Sequence, residues 1–291
     1  MLGKHPLGLY EKALPLELNW PERLRTVKKL GFDFLEISID ETDERLSRLD
    51  WNRDERRALR EATWEYDMPL RSMCLSGHRR FPFGSENPAI RRRAKEILLK
   101  ALEFAVDLGI RNIQLAGYDV YYEPSTPQSR KFFWEGLQWA VTAAEQYQIM
   151  LSMEIMDTPF INSISKNELY RREIRSLWYG VYPDIGNLTA WNNDVETELR
   201  LGNGTIVAVH LKDTMAVTNE FDGQFKGVPF GEGCVDFVRC FSVLEEINYA
   251  GPYLMEMWHQ PGSNVESVIK QSLSFIEEKF SRAMKLYEQC I

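Results

Sequence analysis

Short apolar, β-branched runs alternate along this chain with longer stretches in which apolar residues recur at helical spacing. The runs HPLGLYEK, FDFLEISID, PLRSMCLSG, IRNIQLAGYD, IMLSMEIMD, YGVYPDIGN, IVAVHLKD and GPYLMEMWH read as eight strands. Between them lie amphipathic helices with legible ends. Asn87 as N-cap and Pro88 at the first helical position open one of them. Ile90, Ile97, Leu98, Ala101, Ala105 and Leu108 line its apolar face, and Gly109 closes it. Asn19, Trp20, Pro21, Leu24, Val27 and Gly31 repeat the plan, and Val265, Ile269, Leu273 and Ile276 give the last helix a face that covers a sheet.

Successive strand–helix units with no Pro/Gly/Ser linker predict a single domain over residues 1–291, an α/β fold closed as one (β/α)8 TIM barrel. No G-x-G-x-x-G opens a helix, which removes the usual reason for an open dinucleotide-binding sheet. The 291 residues are compatible with one barrel, a fold that routinely takes about 250. Thr214–Phe237 is the longest stretch without clear periodicity and is expected to be a lid over the barrel mouth. Within it, Gly231-Glu232-Gly233 is expected to offer free N–H groups to a ligand, and Asp236 to cap the helix carrying Phe237, Phe241 and Leu244.

In such barrels the reactive groups stand at the C-terminal ends of the strands. There the fifth to eighth strands carry Glu154, Asp184, His210 and Glu256. Singly, each has an ordinary explanation: a carboxylate paired with a Lys or Arg, a turn-former or helix cap, a satisfied core histidine. Four metal-ligand types at corresponding positions of consecutive strands would need four separate explanations, whereas one shared site needs one. Adjacent strands lie about 4.8 Å apart, so these side chains can converge on one point. Three carboxylates and one imidazole suit one divalent metal ion: Mn2+, Mg2+, Co2+ or Zn2+. A metal chelating a carbonyl and a neighbouring hydroxyl favours proton abstraction from the adjacent carbon. Glu154 and Glu256, on non-adjacent strands, could reach opposite faces of that carbon, which suits epimerisation with the two as acid/base pair.

Around this quartet, Lys212 shares the strand parity of His210 and is a candidate to stabilise an enediolate or to balance the acidic site. His78 and Arg79, after the third strand, are candidate phosphate or sugar contacts, with Lys12 and Ser165-Lys166 weaker ones. Glu36, Gln114 and Asn187 are candidates for supporting the ligands or touching substrate. Trp191, Tyr118, Tyr121 and Tyr122 could roof the pocket or pack between helices, and His5 and His259 read as surface residues.

A net charge of −8 argues against a polyanionic partner, so neither nucleic acid nor an anionic membrane is expected. The absence of a signal-peptide h-region and of any 18-residue apolar run predicts a cytoplasmic protein. Cys74, Cys234, Cys240 and Cys290 form no C-x-x-C pair and are expected to be reduced.

The segments DETDERLSRLDW, MCLSGHRRFPFGS, IQLAGYDVYY, MEIMDTPFINSISK, YPDIGNLTAWNND, VAVHLKDT and VPFGEGCVDF together resemble the L-ribulose-5-phosphate (L-xylulose-5-phosphate) 3-epimerase family of bacterial L-ascorbate and related pentose catabolism, within the xylose-isomerase-like barrel superfamily. The resemblance runs over nearly the whole chain. It implies that Glu154, Asp184, His210 and Glu256 match the metal ligands, that Glu154 and Glu256 exchange the C3 proton, that the small-molecule partner is a phosphorylated ketopentose, and that a homodimer is compatible with the family. Gly77 departs from the pattern, which has Ala before His-Arg-Arg. Two rival enzymes share the scaffold: an aldose–ketose isomerase of the hexulose-6-phosphate type, and a metal-dependent endonuclease. Four histidines and a negative charge speak against the second. A sugar-phosphate sensor without turnover would leave the paired glutamates unexplained.

Overall fold

The computed structural model describes residues 2–290, with the backbone alone at Cys290. Its strands are β1 (Leu7–Tyr10), β2 (Phe34–Ser38), β3 (Leu70–Leu75), β4 (Asn112–Ala116), β5 (Met150–Glu154), β6 (Tyr179–Tyr182), β7 (Val209–Leu211), β8 (Asp213–Met215), β9 (Gln224–Val228) and β10 (Tyr253–Met255). The eight expected from the pattern pair in parallel in the order β6-β5-β4-β3-β2-β1-β10-β7. Backbone bonds from Val181 N to Thr205 O (3.0 Å), Val207 N to Val181 O (2.9 Å) and His210 N to Pro183 O (2.9 Å) stitch β6 to the β7 side, nearly closing a (β/α)8 TIM barrel. The eight barrel strands read as apolar runs because helices cover their outer faces, leaving almost no position of theirs in water.

The helices end where local chemistry ends them. Asn19 accepts from Glu22 N while Glu22 reaches back to Asn19 N, and Asn52 and Glu55 form the same box. Asn87 caps Pro88–Leu108, and Gly109 closes that helix in the left-handed conformation (φ 75°). Its inner face is the expected one, with Ile97, Leu98, Ala101, Ala105 and Leu108 buried against the sheet. In the last helix, Val265–Cys290, Ile269 and Ile276 are buried and Val265 and Leu273 partly so.

Alternation along the strands divides two environments. Outward residues join the large core under the helices, while Tyr10, Phe34, Cys74 and Leu254 form a separate small cluster. Gly8 is required there: a Cβ would meet the Phe34 ring at 2.3 Å. Buried polar residues Glu36, Ser72, Gln114, Ser152 and Glu154 accompany that cluster and hydrogen-bond to one another or to Asn112.

The segment expected to be an aperiodic lid contains an antiparallel hairpin of β8 and β9. Its glycine turn does not offer free N–H groups: Gly231 N and Gly233 N both donate to Asp213 Oδ2, at 2.8 and 3.1 Å. A carboxylate eighteen residues upstream satisfies them, a pairing no local motif announces. Asp236 does cap Phe237–Glu246 by accepting from Arg239 N. His5 is not a surface residue; it is buried, bonded through Nδ1 to Gly251 O at 2.9 Å and stacked on Tyr249. Gly77 lies in a 3-10 turn pinned by Gly77 N to Ile39 O (3.0 Å), and a Cβ there would meet Leu46 Cδ2 at 2.8 Å. Cys74, Cys234 and Cys240 are free thiols; Cys290 lies outside the described side chains. Among the described residues, no helix is long and apolar enough to cross a membrane.

Candidate metal centre and active site

Glu154 ends β5, Asp184 follows β6, His210 lies in β7 and Glu256 follows β10, all at the same rim of the barrel. Each offers one ligand atom, and these atoms lie within 4.8 Å of one another. His210 Nδ1 stands 2.9 Å from Glu154 Oε1 and 3.7 Å from Glu256 Oε2. At Asp184 the helix cap and a place in the cluster are compatible. Its Oδ1 accepts from Asn187 N at 2.9 Å, capping Ile185–Ala190, which leaves Oδ2 turned toward the cluster.

Lys212 belongs to this cluster. Its Nζ lies 2.5 Å from Asp184 Oδ2 and 3.0 Å from Glu256 Oε2. These are ion-pair contacts without hydrogen-bond alignment, and both oxygens are buried with no hydrogen-bond partner. The donor set fits a divalent cation on two grounds. Oxygens without hydrogen bonds face a common point, and three carboxylates against one ammonium leave two negative charges once the imidazole is neutral. With protein charges alone, burial raises Glu154 from its ordinary value against the pull of His210. Burial also pushes Asp184 up to about 7, with Lys212 opposing. Burial works equally against the charge on Glu256, yet Lys212 and His210 together hold it down at about 2. Lys212 and His210 thus offset burial fully at Glu256 but only in part at Glu154 and Asp184.

Other side chains set the geometry of these four. Gln114 Nε2 donates to Glu154 Oε2, and Glu36 Oε1 stands 3.4 Å from His210 Nε2. Asn187 Nδ2 donates to Ile155 O at 2.8 Å, while its Oδ1 is buried without a partner on the pocket wall.

Above the quartet is a narrow cleft of about 40 Å³, walled by Lys12, Arg79, Asn187, Lys212, Lys226 and Trp258 among others. A neighbouring chamber of about 250 Å³ shares Lys212, Glu256 and Trp258 with it and extends under Gly227–Phe230. A larger groove, about 940 Å³ between the segments around Arg239 and Arg282, includes none of these groups. Lys12 is aimed by Asp40 (Nζ to Oδ2, 2.6 Å). Arg79 stacks on Tyr121 at 4.6 Å and lies 3.6 Å from Glu41. Tyr118 donates to Asp157 at 2.6 Å, Tyr122 is exposed and bonded to Glu41, and Trp191 packs on Phe225 of the hairpin.

His78 does not reach this cleft. It is buried against Phe83, 4.6 Å between ring centroids, with Nε2 3.1 Å from Ala94 O. Adjacent Arg79 lines the cleft because the 3-10 turn sends successive side chains to different sides. Ser165 bonds to Glu198 and Lys166 to Pro159 O, and neither lines the cleft. The sequence reading missed Lys226, Asp40 and Trp258. For Lys226 the usable signal was a basic residue within the aperiodic segment; Asp40 carried none.

Residues 24–279 match the family described as xylose isomerase-like TIM barrel. The chain is 55% identical to the SgbU protein of Escherichia coli strain K12, over 97% of this chain and 99% of that one. It is 52% identical to L-ribulose-5-phosphate 3-epimerase UlaE of Shigella boydii serotype 18, over 97% and 98% respectively. Among solved structures, an L-ribulose 3-epimerase superposes with a TM-score of 0.76 at 16% identity, covering 98% of each chain. The chain thus belongs to the xylose isomerase-like TIM barrel family and, within it, stands with the L-ribulose-5-phosphate 3-epimerases of the SgbU and UlaE type.

Proposed function

We propose that this protein interconverts L-ribulose 5-phosphate and L-xylulose 5-phosphate by metal-dependent epimerisation at C3, with Glu154 and Glu256 as acid/base pair. The observation that carries this reading is the placement of the two glutamates on β5 and just after β10, converging on one imidazole nitrogen from different sides. Epimerisation needs one group to take a proton from a carbon and another to return one to the opposite face, so one carboxyl must be ionised while the other carries a proton. In the metal-free protein their surroundings already differ, with Lys212 and His210 holding Glu256 low while burial raises Glu154.

Glu154, Asp184, His210 and Glu256 would hold the divalent cation, which when bound polarises the substrate carbonyl and its neighbouring hydroxyl. Glu256 takes the C3 proton in one direction and Glu154 delivers one from the other side; in reverse the roles exchange. Lys212 places a fixed positive charge beside the oxygens that become negative as the proton leaves. Asn187 Oδ1 is free to accept from a substrate hydroxyl. Lys12, Arg79 and Lys226 surround the mouth with positive charge in a chain of net charge −8, which favours an anionic substrate there. Lys12 and Arg79 have acidic neighbours, Asp40 and Glu41, whereas Lys226 has no ion pair among the described residues and rests 5.8 Å from the Trp258 ring.

The test is solvent exchange. With L-ribulose 5-phosphate, a divalent metal and D2O, the C3 hydrogen is expected to be replaced by deuterium. Exchange at C1 alone would assign an aldose–ketose isomerase instead. No exchange after reconstitution with each of Mn2+, Mg2+, Co2+ and Zn2+ would overturn both readings.

A further inference from the structure

We propose that Glu36 is the positioning residue that fixes the rotation and tautomer of His210, so that Nδ1 faces the three carboxylates. The inference rests on the metal-site reading and concerns a residue on β2, a strand that carries none of the four candidate ligands. A metal takes the lone pair of a neutral imidazole nitrogen. With Nδ1 turned to Glu154 and Glu256, the single ring proton must sit on Nε2. The acceptor facing Nε2 is Glu36 Oε1, at 3.4 Å.

Glu36 is itself held without freedom. It is fully buried, and its other oxygen accepts from Ser72 Oγ at 2.6 Å and from Tyr182 OH at 3.3 Å. The β2–β3 register shifts between Leu35 and Glu36, pairing Leu35 with Leu70 but Glu36 with Ser72. Arg71 is thereby skipped, and the hydroxyl arrives beside the carboxylate; such irregularities re-aim side chains near active sites. Tyr182 also packs its ring on the imidazole, 4.3 Å between centroids, so one residue anchors Glu36 and restrains His210. Among the described residues no Lys or Arg pairs with Glu36; its one ionic neighbour is His210. A carboxylate buried without a cationic side chain is costly unless its hydrogen bonds serve a partner, and here that partner is a ligand ring.

The experiment is calorimetric titration of chelator-stripped protein with Mn2+, wild type against Glu36→Gln. Loss of such a carboxylate is expected to weaken metal binding by about 10- to 100-fold. Ser72→Ala, which removes only an anchor of Glu36, is expected to weaken it about 2- to 10-fold and keeps the test available if Glu36→Gln does not fold. In the Zn2+-loaded wild type, nitrogen-15 spectra should show His210 protonated at Nε2. Affinities within twofold of wild type in the folded variants, or a proton on Nδ1, would overturn the inference while leaving the metal site standing. Wild type that binds no Mn2+ would remove both.

Discussion

Lys212 Nζ sits 2.5 Å from Asp184 Oδ2 and 3.0 Å from Glu256 Oε2, so an internal ammonium neutralises part of the carboxylate cluster. That contact has a consequence for folding as well as for chemistry.

Replacing Lys212 by Met leaves three buried carboxylates facing one imidazole. Breaking a buried ion pair from one side costs about 3–5 kcal/mol, and a divalent cation can offset part of that by supplying charge at the same place. Lys212→Met should therefore unfold at a clearly lower temperature than wild type in chelator, and should gain more in Tm than wild type on addition of Mn2+. Scanning calorimetry under both conditions checks this; equal shifts would show that Lys212 does not share the cluster's charge.

His78 connects sequence, burial and pH. Burial lowers it from 6.5 to about 4, with the hydrogen bond to Ala94 opposing. Between those values the unfolded chain binds the proton more readily than the folded one, so stability rises with pH. This contribution is complete above about 6.5 and is lost as pH falls toward about 4, amounting to about 3 kcal/mol. Urea unfolding of wild type and His78→Gln at pH 7, 5.5 and 4.5 should show the loss in wild type and a flatter dependence in the variant.

Among the described residues, Lys226 is the rim cation without an ion pair. If it grips the substrate phosphate, Lys226→Met should raise KM for L-ribulose 5-phosphate about 10-fold or more, with kcat little changed, since charged hydrogen bonds contribute about 1.5–3 kcal/mol. The same variant should turn over unphosphorylated L-ribulose as wild type does. Equal losses on both sugars would place Lys226 in the hairpin's packing instead.

What was legible in the chain was legible for local reasons. Each of the eight barrel strands announces itself by its own apolar run, several helices by caps such as Asn19 with Glu22 or Asn87 with Pro88, and the order of units implies a parallel barrel. Glu154, Asp184, His210 and Glu256 stood out because polar residues at strand ends interrupt apolar runs. Their convergence then follows from parallel pairing in register, as in the pairing of Leu254 with His210.

What remained hidden depends on which side of the barrel wall or turn a residue faces. His78 and Arg79 are neighbours in sequence, yet one packs on Phe83 and the other lines the cleft. His5 looked like surface because nothing nearby marks it as buried; Tyr249 and Gly251, some 245 residues away, cover it. Glu36 meets His210 across 174 positions, and Asp213 gathers amides 18 and 20 residues ahead. The sequence by itself determined the barrel strands and the identity of the four clustered groups, because periodicity and capping act over a few residues, while the β8–β9 hairpin left no such local mark. Only the tertiary structure decided which cations reach the cleft and which carboxylate holds the imidazole, because those contacts exist only once packing has brought distant strands and loops together.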